Sequence, residues 1–139
     1  MEIFEYAASG GTEFFFQFVD VADRTLFSVL RLRIPSWISN GGKPLFEALE
    51  NAAVIREIHT YGDQMGIGET GSGGADSASP AQHRGFGKRL IEAAENLIRE
   101  RYPSLSNVAV IAGAGTREYY LKRGFRLAEY GYMVKEIPR

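Results

Sequence analysis

Gln82-His83-Arg84-Gly85-Phe86-Gly87-Lys88-Arg89 is the stretch whose reading settles the architecture of this chain. A run rich in glycine and serine ends just before it, at Pro80. Just after it, Leu90, Ile91, Ala94, Leu97 and Ile98 recur at helical spacing, a one-sided apolar stripe. The spacing predicts a helix over 84–101 that opens at the two glycines. A helix N-terminus carries unpaired backbone N–H groups and partial positive charge, so it is a ready site for phosphate. Glycine there lets the backbone approach an anion with no side chain in the way. Read alone, the stretch describes an ordinary glycine-capped helix start equally well. Its flanks decide.

Length and composition set the outer bounds. With 139 residues, 45% of them hydrophobic, the chain is long enough for a real core and predicts a single domain over 1–139. The net charge of −1, from 16 basic and 17 acidic residues, is not the footprint of an autonomous nucleic-acid binder. The absence of cysteine excludes disulfides, a thiolate nucleophile, cysteine-bound zinc and a cysteine-held iron–sulfur cluster. His59 and His83, the two histidines, argue against a histidine-rich metal centre, so no metal ligand is assigned. The start has no signal-peptide pattern and no apolar run nears membrane-spanning length. The expectation is a soluble cytoplasmic protein with no membrane partner, either a whole product or a domain of a larger one.

Along the chain, 1–11 reads as a polar, glycine-ended lead-in. Residues 13–21 and 26–34 read as strands joined by a turn at 20–24, a hairpin. Leu30, Leu32 and Ile34 alternate with Arg31 and Arg33, so one face is core and the other is solvated or pressed on a partner. Pro35 ends the strand. Residues 36–42 form a loop whose Trp37 serves local packing, and 44–51 make a short helical turn. The segment 52–61 is the central strand, with Ala53, Ile55, Glu57, His59 and Tyr61 on one face and Val54, Arg56, Ile58 and Thr60 on the other. Polar residues on both sides are unusual in a buried strand and place one end of it in a cleft. The glycine- and serine-rich connection at 62–81 is flexible and longer than compact domains carry without a functional reason. Residues 107–112 read as a strand covered on both faces, 116–123 as a helix stopped by Gly124, and 125–137 as a last strand bent at Gly131. The order is mixed α/β. Its β-α-β unit (52–61, 84–101, 107–112) takes a right-handed crossover, and ligands sit beyond strand C-termini in such sheets. His59–Tyr61 therefore falls beside Gly85–Lys88.

Two motifs now combine. Gln82-x-x-Gly85-x-Gly87 fits the Gln/Arg-x-x-Gly-x-Gly/Ala pattern with which GNAT-type N-acetyltransferases hold the pyrophosphate of coenzyme A. The segment GAGTREYYLKRGF (113–125) resembles the same family's last helix and turn. Tyr120 stands four residues before Gly124, where many of these enzymes keep a tyrosine near the thioester sulfur. A phenol there can hydrogen-bond or protonate a departing thiolate. Tyr119 is assigned to packing. Gly113-x-Gly115 also imitates a dinucleotide fingerprint, but Glu118 occupies the third glycine position and the motif comes too late in the chain. No P-loop sequence and no Ser-His-Asp arrangement is legible.

A narrower resemblance emerges when six blocks are taken in order: Ala8-Ser9-Gly10-Gly11-Thr12-Glu13, LRLRIP (30–35), IREIHTYG (55–62), QHRGFGKRL (82–90), GTREYYLKRGF (115–125) and YMVK (132–135). Together they resemble the C-terminal acetyltransferase domain of the Elongator catalytic subunit, the family that modifies the wobble uridine of tRNA. The resemblance spans nearly the whole chain. It implies a GNAT acyltransferase fold, a central mixed and mostly antiparallel sheet flanked by helices, with acetyl-CoA as cofactor. It implies tRNA as partner only in the context of a larger protein. Two departures stand out: the family's radical S-adenosylmethionine domain, with its cysteine-bound cluster, has no counterpart here, and the 66–81 loop is long.

By this resemblance Glu57, Ile58, His59 and Thr60 run beside the pantetheine arm, mainly through backbone groups. Gln82, Arg84, Gly85, Phe86, Gly87 and Lys88 form the pyrophosphate loop, and Tyr119 and Tyr120 are the tyrosine pair tied to acetyl-CoA activity. Cations such as Arg84 and Lys88 reinforce phosphate binding; His83 reads as an exposed loop residue. Glu57 is either a general base for an amine acceptor or the partner of Arg56, Arg31 or Arg84. His59 is structural or touches the cofactor. Three functions follow: an acetyl-donating domain for tRNA wobble-uridine modification, working with a radical domain in cis or trans; a free-standing GNAT enzyme acting on a protein lysine or small amine, with Glu57 as base and Tyr120 as acid; or a non-catalytic acyl-CoA-binding module docking through the Arg31/Arg33 face. For these 139 residues, binding with little or no transfer is expected.

Overall fold

Leu30, Leu32 and Ile34 turn one way and Arg31 and Arg33 the other, and the sheet is built on that alternation. The computed structural model describes residues 1–61 and 78–139, the side chains of 78–84 excepted. In it β3 (Leu26–Ile34) pairs antiparallel with β2 (Gly11–Val19). Between them the Asp20 carboxylate accepts the Ala22 N–H at 2.7 Å, and Arg24 N–H donates to the Asp20 carbonyl at 2.9 Å. The expected lead-in is instead a strand: β1 (Glu2–Ala8) pairs antiparallel with β2 along its whole length. As an edge strand with mostly exposed side chains, β1 has no apolar alternation to betray it. Pairing with β2 specifies it, and contacts from the surrounding chain add to that: Arg24 on Glu2 (2.8 Å), Arg101 on Glu5 (2.7 Å) and the Tyr6 hydroxyl on Glu13 (2.8 Å).

β4 (Ala52–Thr60) continues the sheet antiparallel to β3. β5 (Asn107–Ile111) joins β4 in parallel. The expected last strand is two strands, β6 (Arg126–Leu127) and β7 (Tyr132–Glu136), because Tyr130 (φ 56°) and Gly131 (φ 79°) turn the chain back between them. Among the described residues the order is β1-β2-β3-β4-β5-β7-β6, and β4–β5 is the parallel pairing in a mostly antiparallel sheet. After Pro35 a short helix, α1 (Ser36–Asn40), stands where a loop is expected, and a 3₁₀ turn covers Glu47–Leu49.

α2 (Ala78–Arg101) crosses from β4 to β5 and lies against β2, β3 and β4. Its start is a second correction: the helix begins six residues before the expected 84. Pro80 permits this, since a proline in the first turn lacks an N–H that would have no intrahelical partner. Of the expected flexible connection, 78–81 is helical and 62–77 lies outside the described residues. The apolar stripe behaves as read, with Leu90, Ile91, Ala94 and Ile98 buried against Phe14, Phe16, Leu30, Leu32, Ile55, Val108 and Val110. On the other face Leu49, Ala52, Ala109 and Val134 form a smaller cluster, so β5 is covered on both sides as its unbroken apolar run predicts. α3 (Arg117–Leu121) follows a 3₁₀ turn at Ala114–Thr116. Gly124 (φ 89°) stops it: Phe125 N–H returns to the Tyr120 carbonyl and Gly124 N–H to that of Leu121, both at 3.1 Å, a closure that needs the left-handed residue glycine supplies.

Candidate functional site

The site begins with one surplus residue in β4. Leu32 faces Ile55 and the adjacent Arg31 faces Glu57, so Arg56 is a bulge. A bulge inserts a residue, bends the strand and reverses the alternation beyond it. The expected face assignment, Ile55 with Glu57 and opposite to Ile58, is therefore corrected. Ile55 and Ile58 both turn toward α2, Ile58 opposite the buried Leu30 and packed against the main core. Glu57 turns to the other face with Arg31, whose Nη2 lies 3.0 Å from its carboxylate.

The bulge also parts the sheet. Parallel pairing of β4 with β5 ends at Ile55–Val110. Ile111 still pairs with Tyr132 of β7 but has no partner in β4. Along 56–60 the edge of β4 that faces away from β3 has no strand neighbour among the described residues. Among the described residues no strand takes up the N–H and C=O groups on that edge, an arrangement that suits an extended ligand lying between the two strands.

Gly87 of α2 stands over this opening. A Cβ there would collide with the Tyr119 hydroxyl and lie 3.9 Å from Ile58 Cδ1. A side chain at 87 would have to displace that hydroxyl, and the fold joins three predicted site residues: Gly87, Tyr119 and Ile58. The two tyrosines do not divide as expected. Tyr119 is the half-buried one, facing Gly87, with the Arg123 guanidinium 3.4 Å from its ring centroid. Tyr120, 5% exposed, packs in the core with its ring 5.4 Å from that of Phe125. Burial, and next Tyr119, push its phenol up to about 12. It stays protonated through the neutral range and can act there as a hydrogen-bond donor.

Next to Gly87 lies a groove of about 500 Å³ lined by Lys88, Ile91, Glu92, Lys122, Arg123 and Lys135. Lys135 is neutralised at 2.6 Å by the buried Glu95. Lys88 and Lys122 pair loosely with Glu92 (3.8 Å) and Glu118 (3.5 Å) and are largely exposed. Arg123 donates from Nη1 to the Tyr119 carbonyl at 2.8 Å, while its Nε is buried without a partner among the described residues. Four cations and one carboxylate thus line the groove. The sequence reading passed over Lys122, Arg123 and Lys135; the adjacent basic pair before Gly124 was the legible signal.

Other expected residues are placed differently. Because α2 starts at Ala78, the Gly85–Lys88 stretch lies about two turns inside it. Its N–H groups are positioned for intrahelical bonds, and the expected free donors at 85–88 are not what the structure has. Gly85 has open space where a Cβ would go, and Phe86 stacks on Phe18 (4.8 Å) and Phe27 (5.6 Å) as core packing. Gln82, His83 and Arg84 have side chains outside the described residues. His59 sets its ring edge-on to Tyr61 at 4.4 Å, opposite Val29 and on the face of Glu57. Thr60 shares a 3.0 Å hydrogen bond with Ser28. Glu57 and His59 are thus on the face away from Tyr119. No cluster of three or more metal-ligating side chains occurs among the described residues.

No family model matches the chain. It is 39% identical over 135 residues to the tRNA uridine(34) acetyltransferase of Dehalococcoides mccartyi, covering 96% of this chain and 27% of that protein. To Elongator complex protein 3 of Dictyostelium discoideum it is 41% identical over 123 residues, 88% of this chain and 20% of that one. The chain thus spans about a quarter of the length of the curated relatives it matches. Among solved structures, the archaeal Methanocaldococcus infernus Elp3 superposes with a TM-score of 0.72 at 30% identity, over 97% of this chain and 29% of the other. An acetyltransferase of the GNAT family from Staphylococcus aureus superposes with a TM-score of 0.54 at 10% identity, over 94% and 70%.

Proposed function

Starting from a chain that has the GNAT fold and is homologous, along nearly its whole length, to one segment of the tRNA uridine(34) acetyltransferases and Elongator complex protein 3, we propose an acetyl-CoA-binding acyltransferase domain that serves tRNA wobble-uridine modification. The observation that carries this reading is the parted β4/β5 edge beneath Gly87 and Tyr119. Its residues fit the cofactor. The backbone edge of 57–60, without a strand neighbour among the described residues, offers donors and acceptors to the amides of the pantetheine arm, and Gly87 keeps the space beside Tyr119 and Ile58 clear of a Cβ. Lys88, Lys122 and Arg123 offset phosphate charge, with Gln82, Arg84 and Gly85 completing the anion site on the sequence pattern. Acetyl-CoA supplies an acetyl group activated as a thioester.

Tyr119 presents its hydroxyl to the cleft, and Tyr120, kept protonated, backs it from the core. Glu57 holds Arg31 and keeps β3 and β4 in register, and His59 braces Tyr61. The domain spans 1–139 with its long connection at 62–81, acts in the cytoplasm, and meets tRNA and a radical S-adenosylmethionine domain in a larger protein. Calorimetric titration with acetyl-CoA of the wild type and of Gly87→Glu, which sets bulk and negative charge against Tyr119, tests the reading. Binding by the wild type and none by the variant is expected; a wild type that gives no heat of binding overturns it. Amine-dependent release of free thiol would instead identify an amine acetyltransferase.

A further inference from the structure

Arg56, the surplus residue of β4, is tied down on the face away from α2. Its Nη1 donates to Glu13 Oε1 at 3.2 Å, reaching past β3 to β2. Glu13 is 4% exposed, a depth at which a carboxylate persists only with partners. It has three, from three strands: the Tyr6 hydroxyl at 2.8 Å, Arg56 at 3.2 Å and Arg33 at 3.7 Å. The next residue, Glu57, is fastened to Arg31 at 3.0 Å. Both residues of the bulge are therefore ion-paired to the sheet. The consequence is large, because a regular strand would shift every later residue to the opposite face. Ile58 would then leave α2, and Glu57 would turn toward it.

We propose that Glu13 is a positioning residue of the cleft: acting through Arg56, it holds the β4 bulge that parts 56–60 from β5 and gives the site its free backbone edge. That the edge receives acetyl-CoA rests on the reading above; the bulge does not. Without the Glu13 charge, Arg33 and Arg56 lose the anion that keeps two guanidinium groups on one patch. Arg56, whose side chain is half exposed, is then released to solvent and no longer anchors the extra residue.

The test compares Glu13→Gln, Arg56→Gln and the double variant of the 139-residue chain. Amide NMR signals and exchange of 56–60 are recorded without ligand, followed by acetyl-CoA titration; far-ultraviolet circular dichroism monitors the fold. Each single variant is expected to shift the 56–60 signals while those of β7 stay in place, and to weaken acetyl-CoA about tenfold. The double variant is expected to be no worse than either single one, and Arg56→Lys to recover part of the loss. Unchanged 56–60 signals in both single variants, or additive losses in the double, overturn the proposal. Should Glu13→Gln fail to fold, Arg56→Gln decides alone. Should the wild type not bind acetyl-CoA, the cofactor reading fails while the amide signals still judge the bulge.

Discussion

A Cβ at position 87 and the hydroxyl of Tyr119 compete for one volume. Alanine inside a helix is favoured over glycine by about 1 kcal/mol, whereas overpacking costs about 1–3 kcal/mol. Gly87→Ala should therefore be neutral or destabilising in the wild type. In a Tyr119→Phe background, where the hydroxyl is gone, it should stabilise by about 1 kcal/mol. Urea denaturation of the four proteins measures this, and equal effects in both backgrounds would refute the contact. Spacing in the sequence sets Tyr120 toward the cofactor and Tyr119 in packing, whereas burial puts the Tyr120 ring in the core and leaves Tyr119 half-buried beside Gly87. Neighbours on a helix point about 100° apart, so one of the two must be core, but which one depends on where the sheet lies. Spacing to Gly124 does not report that.

Among elements, β1 and the β4 bulge were the hardest to foresee. Charge supplements the β1–β2 backbone ladder: hydrogen bonds from Arg24, then Gln17, keep the Glu2 carboxyl down at about 2, and Arg101 lowers Glu5. A carboxyl whose folded value is lowered contributes stability above its unfolded value and loses it as pH falls through the folded one. β1 should thus loosen selectively as pH drops from 4.5 toward about 2, seen as amide protection factors falling in 2–8 before those of β3. Protection lost in step across both strands would contradict it. The bulge had a sequence trace, Ile55 and Ile58 three apart within a strand, which alternation alone cannot bury on one side. Strict alternation puts Glu57 on the face of Ile55; the bulge moves it to the other face, where it is the partner of Arg31, one of the two roles its sequence context left open.

At the scale of the whole molecule, the cleft joins elements from the centre and end of the chain: β4, α2 and α3. A ligand bound only to the folded state stabilises it by mass action, about 2.7 kcal/mol at a hundred times its Kd. Acetyl-CoA should therefore raise the Tm of the wild type, less so in Lys122→Glu, whose unliganded Tm should stay close to wild type because the side chain is exposed. An equal upshift in both would remove Lys122 from the groove. By itself the sequence determined the α2 stripe, the β2–β3 hairpin, the doubly covered β5 and the glycine stop after α3, because each rests on local period or backbone freedom. It also singled out, through their spacing, Gly87 and Tyr119, which the fold brings together. Only the tertiary structure decided that β1 is a strand, that α2 begins at Ala78, that Tyr119 and not Tyr120 meets Gly87, and that Glu57 turns away. Each of these depends on which surface a residue meets across the sheet, and a one-residue bulge is enough to exchange the two faces.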